Sequence, residues 1–403
     1  MTHEHWMTKA ITLARLGVGH VNPNPMVGAV IVKDGCIIGE GYHRRYGAPH
    51  AEREALASCT QSPQGATLYV TLEPCAHQGK TPPCTDAIIE SGISTVVIGS
   101  PDTNPHVSGG GAKILRRNGI AVIEGMLQAE CDRLNVVYFH YIREKTPYVV
   151  MKYAMTADGK IATASGASRW ISSAAAREHV HHTRHALSAI LVGIGTVLAD
   201  DPLLTCRLPD GKNPLRVVCD SNLRTPLDSQ LVKTAGEVPT LIACHHAAPE
   251  RQIALESQGC RVLALPGADA RVDVAALMET LHSMGIDSVL LEGGADLHYS
   301  MLAAGLVQRL QVYLAPKLFG GVSAKSPIGG IGVVLPDKAF CLGEPTVTPI
   351  GEDLLLEYDV FSEQRELHRK LDAGIHAMRA ESGRPAQEVF DEIKQEYGFG
   401  GKS

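Results

Sequence analysis

Aromatic residues are scarce in this chain, at 5% of 403 positions with only two tryptophans. Positive charge is not in surplus either: the formal net charge is −6 with histidine neutral. No long Lys/Arg run occurs, so the electrostatic footprint of a nucleic-acid binder is missing. No apolar stretch reaches membrane-spanning length. The opening residues, MTHEHWMTKAITLARLGVG, lack a charged segment followed by an apolar run, so a secretory signal is not expected. No G-x-G-x-x-G follows a strand pattern, which removes the ordinary dinucleotide fingerprint.

What is present suits a globular α/β protein. Hydrophobic content is 44% and charged content 20%, enough to bury proper cores, and the length suggests two or three domains. Forty glycines fit tight strand–helix turns. Ten cysteines without a secretory signal point to a reducing cytoplasm. Cys36, Cys59, Cys131, Cys206, Cys219, Cys244, Cys260 and Cys341 read as small packed or indifferent residues. Cys75 and Cys84 do not.

Periodicity sketches the organisation. Trp6, Ala10, Ile11, Leu13 and Leu16 mark an opening helix, and MVGAVIV and CIIGEGY flank a hairpin turn at Lys33-Asp34-Gly35. A helix begins at or just after His50. Strand ATLYVTLEP, helix TPPCTDAIIESG with prolines in its first turn, strand STVVIGS, helix GGAKILRRNG and strand IAVIEG follow, then one long helix to about Lys145. This alternation predicts a mostly parallel sheet covered on both sides, in a first domain at 1–145. YVVMKYA opens a second α/β domain, 146–362, with strands AILVGIG, LRVVCDS, TLIAC, LQVYLAP and DLLLEYDVF. Residues 363–403 are charged and carry two short amphipathic faces. They read as an appended helical tail, either an oligomerisation element or a partner-binding module.

The cysteines belong to a metal pattern. His50, Cys75 and Cys84 offer one imidazole and two thiolates, a donor set for tetrahedral zinc that leaves one position for water. Glu52 is then not needed as a ligand and can carry protons between that water and a leaving amine. A closed structural zinc, with His77 or His43 as fourth ligand, is the plainer alternative. The order H-x-E, strand, P-C and a second cysteine resembles the zinc deaminase signature for amino-substituted rings. Eight residues separate the cysteines, and they include His77, Gln78 and Lys80. A polar, basic loop beside the metal suits an anionic group such as phosphate.

The pattern VNPNPMVGAV…GYH…HAE…TLEPCAHQGKTPPC closely resembles the deaminase domain of the bifunctional enzymes of bacterial riboflavin biosynthesis. The resemblance implies a cytidine-deaminase-like α/β/α domain that deaminates a diaminopyrimidinone carrying a phosphoribosylamino group. By it, Asn24, His43, His77 and Lys80 line the substrate pocket.

In the second half, LLEGGADLHYSML alone is weak evidence, since glycine serves any tight strand–helix turn. MKYAMTADGKIAT, SRWIS, HHTRHALSAILVGIGTVLADDPLLTCR and the EGGADL turn occur in the order of the reductase half of that family. This implies a dihydrofolate-reductase-like α/β fold using NADPH to reduce the ribosyl group to a ribityl chain. Ala154, Trp170, Thr196, Asp200, Ser221 and the run Gly294, Ala295, Asp296, Leu297, His298, Tyr299 and Ser300 match cofactor-contacting positions. Ser168, Arg184, Leu204, Arg207 and Glu292 match substrate-contacting ones. Arg184 and Arg207 are expected to pair the substrate phosphate, and Lys152 to polarise or protonate the opened sugar. The expected partners are thus phosphorylated aminopyrimidines and a homo-oligomer, dimer or tetramer, with neither nucleic acid nor membrane. A nucleotide-sensing second half without turnover is the rival reading, and a nucleic-acid-editing deaminase is disfavoured by charge and cysteine spacing.

Overall fold

The computed structural model describes residues 1–76, 82–104 and 110–361. The expectations for His77, Lys80 and the 363–403 tail lie outside these residues. The first part runs α1 (His3–Ala14), β1 (Gly28–Lys33), β2 (Cys36–Tyr42), α2 (Ala51–Ala57), β3 (Thr67–Leu72), α3 (Cys84–Glu90), β4 (Thr95–Ser100), α4 (Gly110–Arg117), β5 (Ala121–Ile123), α5 (Gln128–Leu134) and α6 (Val136–Glu144). Among the described residues these strands form one five-stranded sheet, order β2-β1-β3-β4-β5.

Only half of that sheet is parallel. β3, β4 and β5 run together, but β1 is antiparallel to both β2 and β3. The cause is the Asp34-Gly35 turn, whose φ values of 50° and 73° fit a tight hairpin. Val30 and Val32 face Trp6, Met7 and Ile11 of α1, while Ala29 and Ile31 face Ala51 and Ala55 of α2. Both faces are therefore buried, giving three layers.

Two boundaries differ from expectation. α3 starts at Cys84 with Pro83 as its cap, so the prolines precede the first turn instead of occupying it. The long helix toward Lys145 is two helices, α5 and α6, parted at Asn135. The Asn135 amide leaves the helical path to pair with the Met26 backbone, accepting from its N–H at 2.8 Å and donating to its carbonyl at 3.0 Å.

The second part comprises β6 (Tyr148–Thr156), α7 (Ala174–Ala186), β7 (Ala189–Gly193), α8 (Ile194–Asp200), β8 (Leu215–Cys219), α9 (Gln230–Lys233), β9 (Thr240–Cys244), α10 (Pro249–Glu256), β10 (Arg261–Ala264), α11 (Val274–Ser283), β11 (Ser288–Leu291), α12 (Ala295–Ala303), β12 (Arg309–Ala315), β13 (Thr346–Ile350) and β14 (Asp353–Asp359). The described strands make a nine-stranded sheet, order β10-β9-β8-β7-β11-β6-β12-β14-β13, parallel from β10 to β12 and antiparallel beyond. One face packs on α11 and α12 through Leu277, Leu281 and Met301. Ile190, Val192 and Val218 fill the other with Val197 and Leu231.

The two parts touch through a polar seam. Asn22 Nδ2 donates to Asp287 Oδ2 at 2.7 Å, and Ser188 and Ser288 hydroxyls donate to Asp287 Oδ1 at 2.6 and 2.7 Å. Asp287 is 2% exposed and immediately precedes β11. Tyr141 also donates to the His282 carbonyl at 3.4 Å.

Candidate active sites

The first site forms where β3 ends and two helices begin, the edge at which α/β sheets present loops. His50 is the N-cap of α2, Cys84 the first residue of α3, and Cys75 follows β3 after Glu73-Pro74. α2 comes close enough because β2 carries glycine: a Cβ at Gly41 would stand 2.4 Å from the Ala51 carbonyl oxygen. Arg53 donates to the Pro82 and Pro83 carbonyls at 3.1 and 2.9 Å, fastening the segment that delivers Cys84.

His50 Nδ1 lies 3.5 Å from Cys75 Sγ and 3.3 Å from Cys84 Sγ, and the three donor atoms fall within 4.8 Å of one another. Hydrogen bonding from Cys84 draws the Cys75 thiol well below its ordinary range. That same pairing, with burial and the Glu52 carboxylate, pushes Cys84 up. Two thiols and one imidazole form a donor set short of a cation, which fits in type and number a zinc that keeps one position for water, with the Glu52 carboxyl beside it. Glu52 is 3% exposed, and burial raises its pKa.

A cavity of about 370 Å³ opens onto this cluster. His43 Nδ1 donates to the Pro49 carbonyl at 3.1 Å, so its Nε2 is the bare nitrogen that accepts from Asn24 Nδ2 at 3.2 Å. Asn24 and His43 thus reach the cavity wall as one unit. The wall also includes Asp102 and Asn104, which no motif singled out. Asp102 lies on the loop after β4 and accepts from the Tyr138 hydroxyl at 3.2 Å.

The second site lies along β6, β7 and β11, in a cleft of about 440 Å³ lined by Lys152, Ala154, Ser168, Trp170, Thr196, Asp200, Leu204 and Arg207, with Arg184 and Glu292. Arg184 Nε and Nη2 grip both Glu292 oxygens at 2.8 and 2.9 Å, and Nη1 donates to the Thr205 carbonyl at 3.0 Å. Lys152 Nζ stands 3.9 Å from Glu292. Burial pushes the Glu292 carboxyl up, but the two cations outweigh it and hold it at about 2. Burial lowers the Lys152 pKa.

This geometry separates the two arginines that the sequence treats alike. The charge of Arg184 is already matched by Glu292. Arg207 has no carboxylate partner among the described residues. Its loop is pinned from beneath by Arg216, wholly buried, which donates to the Leu203 carbonyl at 3.2 Å. Trp170 is not core: it is 60% exposed, with the Arg177 guanidinium 4.4 Å from its ring centroid.

The run 294–300 offers backbone more than side chains. Gly294 caps α12 at φ 92°, and Gly193 packs against it; a Cβ at Gly293 would stand 2.8 Å from Thr196 Oγ1. This notch at a helix N-terminus, which any Cβ would fill, suits a phosphate of a dinucleotide. The side chains beyond it are otherwise occupied. Asp296 accepts from the Gly330 N–H, Leu297 and His298 are buried, Tyr299 donates to the Gly332 carbonyl and Ser300 to that of Asp296. Ser221 does not line the cleft; it follows β8, where its carbonyl accepts from His245 and His246 N–H groups.

Comparison with known proteins agrees with both halves. The cytidine and deoxycytidylate deaminase zinc-binding region matches residues 1–100, and the RibD C-terminal domain matches 147–355. Riboflavin biosynthesis protein RibD of Actinobacillus pleuropneumoniae is 53% identical over 362 residues, covering 90% of this chain and 96% of that protein. The crystal structure of a diaminohydroxyphosphoribosylaminopyrimidine deaminase/5-amino-6-(5-phosphoribosylamino)uracil reductase from Thermotoga maritima is 40% identical, with TM-score 0.78 over 89% of this chain and 99% of that one. RibD of Acinetobacter baumannii is 35% identical, with TM-score 0.80 over the same shares. The chain belongs to the RibD family, the bifunctional enzymes of riboflavin biosynthesis, and pairs a zinc-dependent cytidine-deaminase-like domain with an NADPH-dependent, dihydrofolate-reductase-like one.

Proposed function

We propose that residues 1–145 deaminate 2,5-diamino-6-(5-phosphoribosylamino)pyrimidin-4(3H)-one and residues 146–362 reduce the product to 5-amino-6-(5-phosphoribitylamino)uracil. The observation that carries this reading is the pair of clefts, one ending on a thiol–imidazole cluster with a buried acid, the other on a surplus of cations.

In the first cleft His50, Cys75 and Cys84 hold the zinc, which when bound supplies Lewis acidity to a water. Glu52 takes a proton from that water as oxygen bonds to the amine-bearing ring carbon. The same carboxyl then returns it to the departing nitrogen, which leaves as ammonia. Its raised pKa suits a group that must both accept and give. Asn24 and His43 orient the ring, and the family resemblance adds His77 and Lys80 as substrate contacts.

NADPH, when bound in the second cleft, would supply a hydride for the carbonyl or imine carbon of the opened sugar. The Gly293-Gly294 notch at the start of α12, with Ala154, Trp170, Thr196 and Asp200, receives the cofactor. Lys152 gives the proton to the sugar oxygen or nitrogen; burial lowers the cost of losing it, although Glu292 opposes the loss. Ser168, Leu204 and Arg207 face the phosphate, while Arg184 and Glu292 form the wall beside it.

The exposed apolar side chains of Leu318, Val322, Ile331, Val334 and Val347 support a homo-oligomer, dimer or tetramer. No helix among the described residues is long and apolar enough to cross a membrane. Reactive thiols at Cys75 and Cys84 call for a reducing compartment, so we place the enzyme in the cytoplasm.

Mass spectrometry on the diaminopyrimidinone tests the scheme. Exchange of NH for O without cofactor, followed by gain of two hydrogens only with NADPH, is expected. Exchange alone would reduce the second domain to a sensor, and no change in zinc-loaded protein would overturn the substrate.

A further inference from the structure

We propose that His181 is a positioning residue that aims Arg207 at the substrate phosphate without neutralising it. This rests on the reading of Arg207 as the phosphate-binding cation. His181 and Arg184 share one face of α7, three residues apart. Both reach the loop segment Thr205-Cys206-Arg207: Arg184 Nη1 donates to the Thr205 carbonyl at 3.0 Å, and Cys206 Sγ donates to the His181 carbonyl at 3.4 Å. The third tie is the informative one. Arg207 Nε donates to His181 Nε2 at 3.0 Å.

A guanidinium has donors and no acceptor, so Nε2 must be the bare nitrogen of a neutral imidazole. Nδ1 then carries the proton, and the Thr205 backbone supplies the ring with a hydrogen-bond partner. The Arg207 N–H also points at Nδ1, at 3.3 Å; a neutral ring accepts at only one nitrogen, and the shorter contact is the one at Nε2. Burial foremost, then Arg184 and Arg207, hold the His181 pKa at about 4, so the ring stays neutral at ordinary pH.

The choice of an imidazole has a physical meaning. A carboxylate here would orient Arg207 equally well, but it would cancel the charge the phosphate is to meet. Arg184 shows that outcome on the same helix face, closed onto Glu292. With Nε tethered to a neutral acceptor, Arg207 keeps its full charge. Both Nη groups, which have no partner among the described residues, remain available for a two-pronged contact.

The test compares His181→Leu, His181→Gln and His181→Glu in the full chain. Each is read by the reductase selectivity for the phosphorylated over the dephosphorylated ribosylaminouracil. Leu removes the acceptor, Gln keeps a neutral one, and Glu supplies a charged one. Expected is a fall in selectivity of about tenfold for Leu and for Glu, carried by KM and not kcat, with Gln near the parent. The KM for NADPH should hold, the deamination rate monitors folding, and His181→Leu added to Arg207→Ala should cost nothing further. Unchanged selectivity in His181→Leu while Arg207→Ala lowers it would overturn the positioning role. Equal losses in Leu, Gln and Glu, spread over both substrates, would do the same. Unchanged selectivity in Arg207→Ala would instead remove the phosphate reading on which the proposal stands.

Discussion

Around His50, two thiols and the Glu52 carboxyl share one imidazole, whereas around Glu292 two cations share one acid and Arg207 stands by without one. Each site is incomplete in the sense opposite to the other. The first needs a cation to settle its thiols, and the second needs an anion to settle Arg207. Uncompensated charge is costly in a protein interior, so both imbalances indicate the guest. The sites also differ in build. The first hangs on helix starts within 35 residues of sequence, from His50 to Cys84. The second joins residues 108 apart through a buried ion pair.

The largest effect that could break this contrast comes from Glu52→Gln. Deamination should fall about 10³-fold while zinc content and reductase turnover stay at the parent level. Metal analysis alongside both assays checks it, and full deamination would remove Glu52 from proton transfer. Next comes Glu292→Gln, which leaves Arg184 and Lys152 buried without their acid. Loss of a buried partner should destabilise the reductase part by about 3 kcal/mol, read from its denaturant midpoint, with the deaminase part unmoved. Equal loss in both parts would mean that they unfold as one.

Gly41→Ala should cost about 2 kcal/mol, because a methyl group there meets the α2 backbone. It should weaken deamination first, since α2 carries His50 and Glu52. Smallest is the response to pH. His181, His179, His185 and His298 are all held below their ordinary value, foremost by burial. Protons then bind the unfolded chain more readily, so the reductase part should lose stability as pH falls from about 6.5. His181 stops contributing below about 4, and the share of Glu292 is lost from about 4.5 down to about 2. Urea midpoints that stay flat between pH 7 and 5 would show those imidazoles to be solvated.

The contrast also explains what was legible in the sequence. His50, Glu52, Cys75 and Cys84 could be read because ligand spacing and helix starts are local. Alternating apolar residues gave the strands for the same reason. That Arg184 is matched by an acid and Arg207 is not could not be read this way, since it depends on Glu292, just past β11, lying beside α7. His181 sits among several histidines, and nothing in their spacing distinguishes it. The break at Asn135 comes from a partner 109 positions away at Met26, beyond the reach of any helical pattern. β13 stayed hidden because its exposed TVTPI, with an internal proline, has neither strand-like alternation nor a buried face.

The seam at Asp287 bears on how the gene can be cut. Asn22, which donates to this buried carboxylate, opens the turn that carries Asn24 to the deaminase cavity. A fragment starting at 146 would keep Ser188 and Ser288 but leave Asp287 Oδ2 short of a donor, at a cost of about 1–3 kcal/mol unless water enters. A fragment ending at 145 would free Asn22 and loosen the turn beside its own substrate pocket. Dissection therefore weakens each half at a point the other supplies, and a split enzyme would have to mend both ends, by changing Asp287 to a neutral residue and by anchoring Asn22 elsewhere.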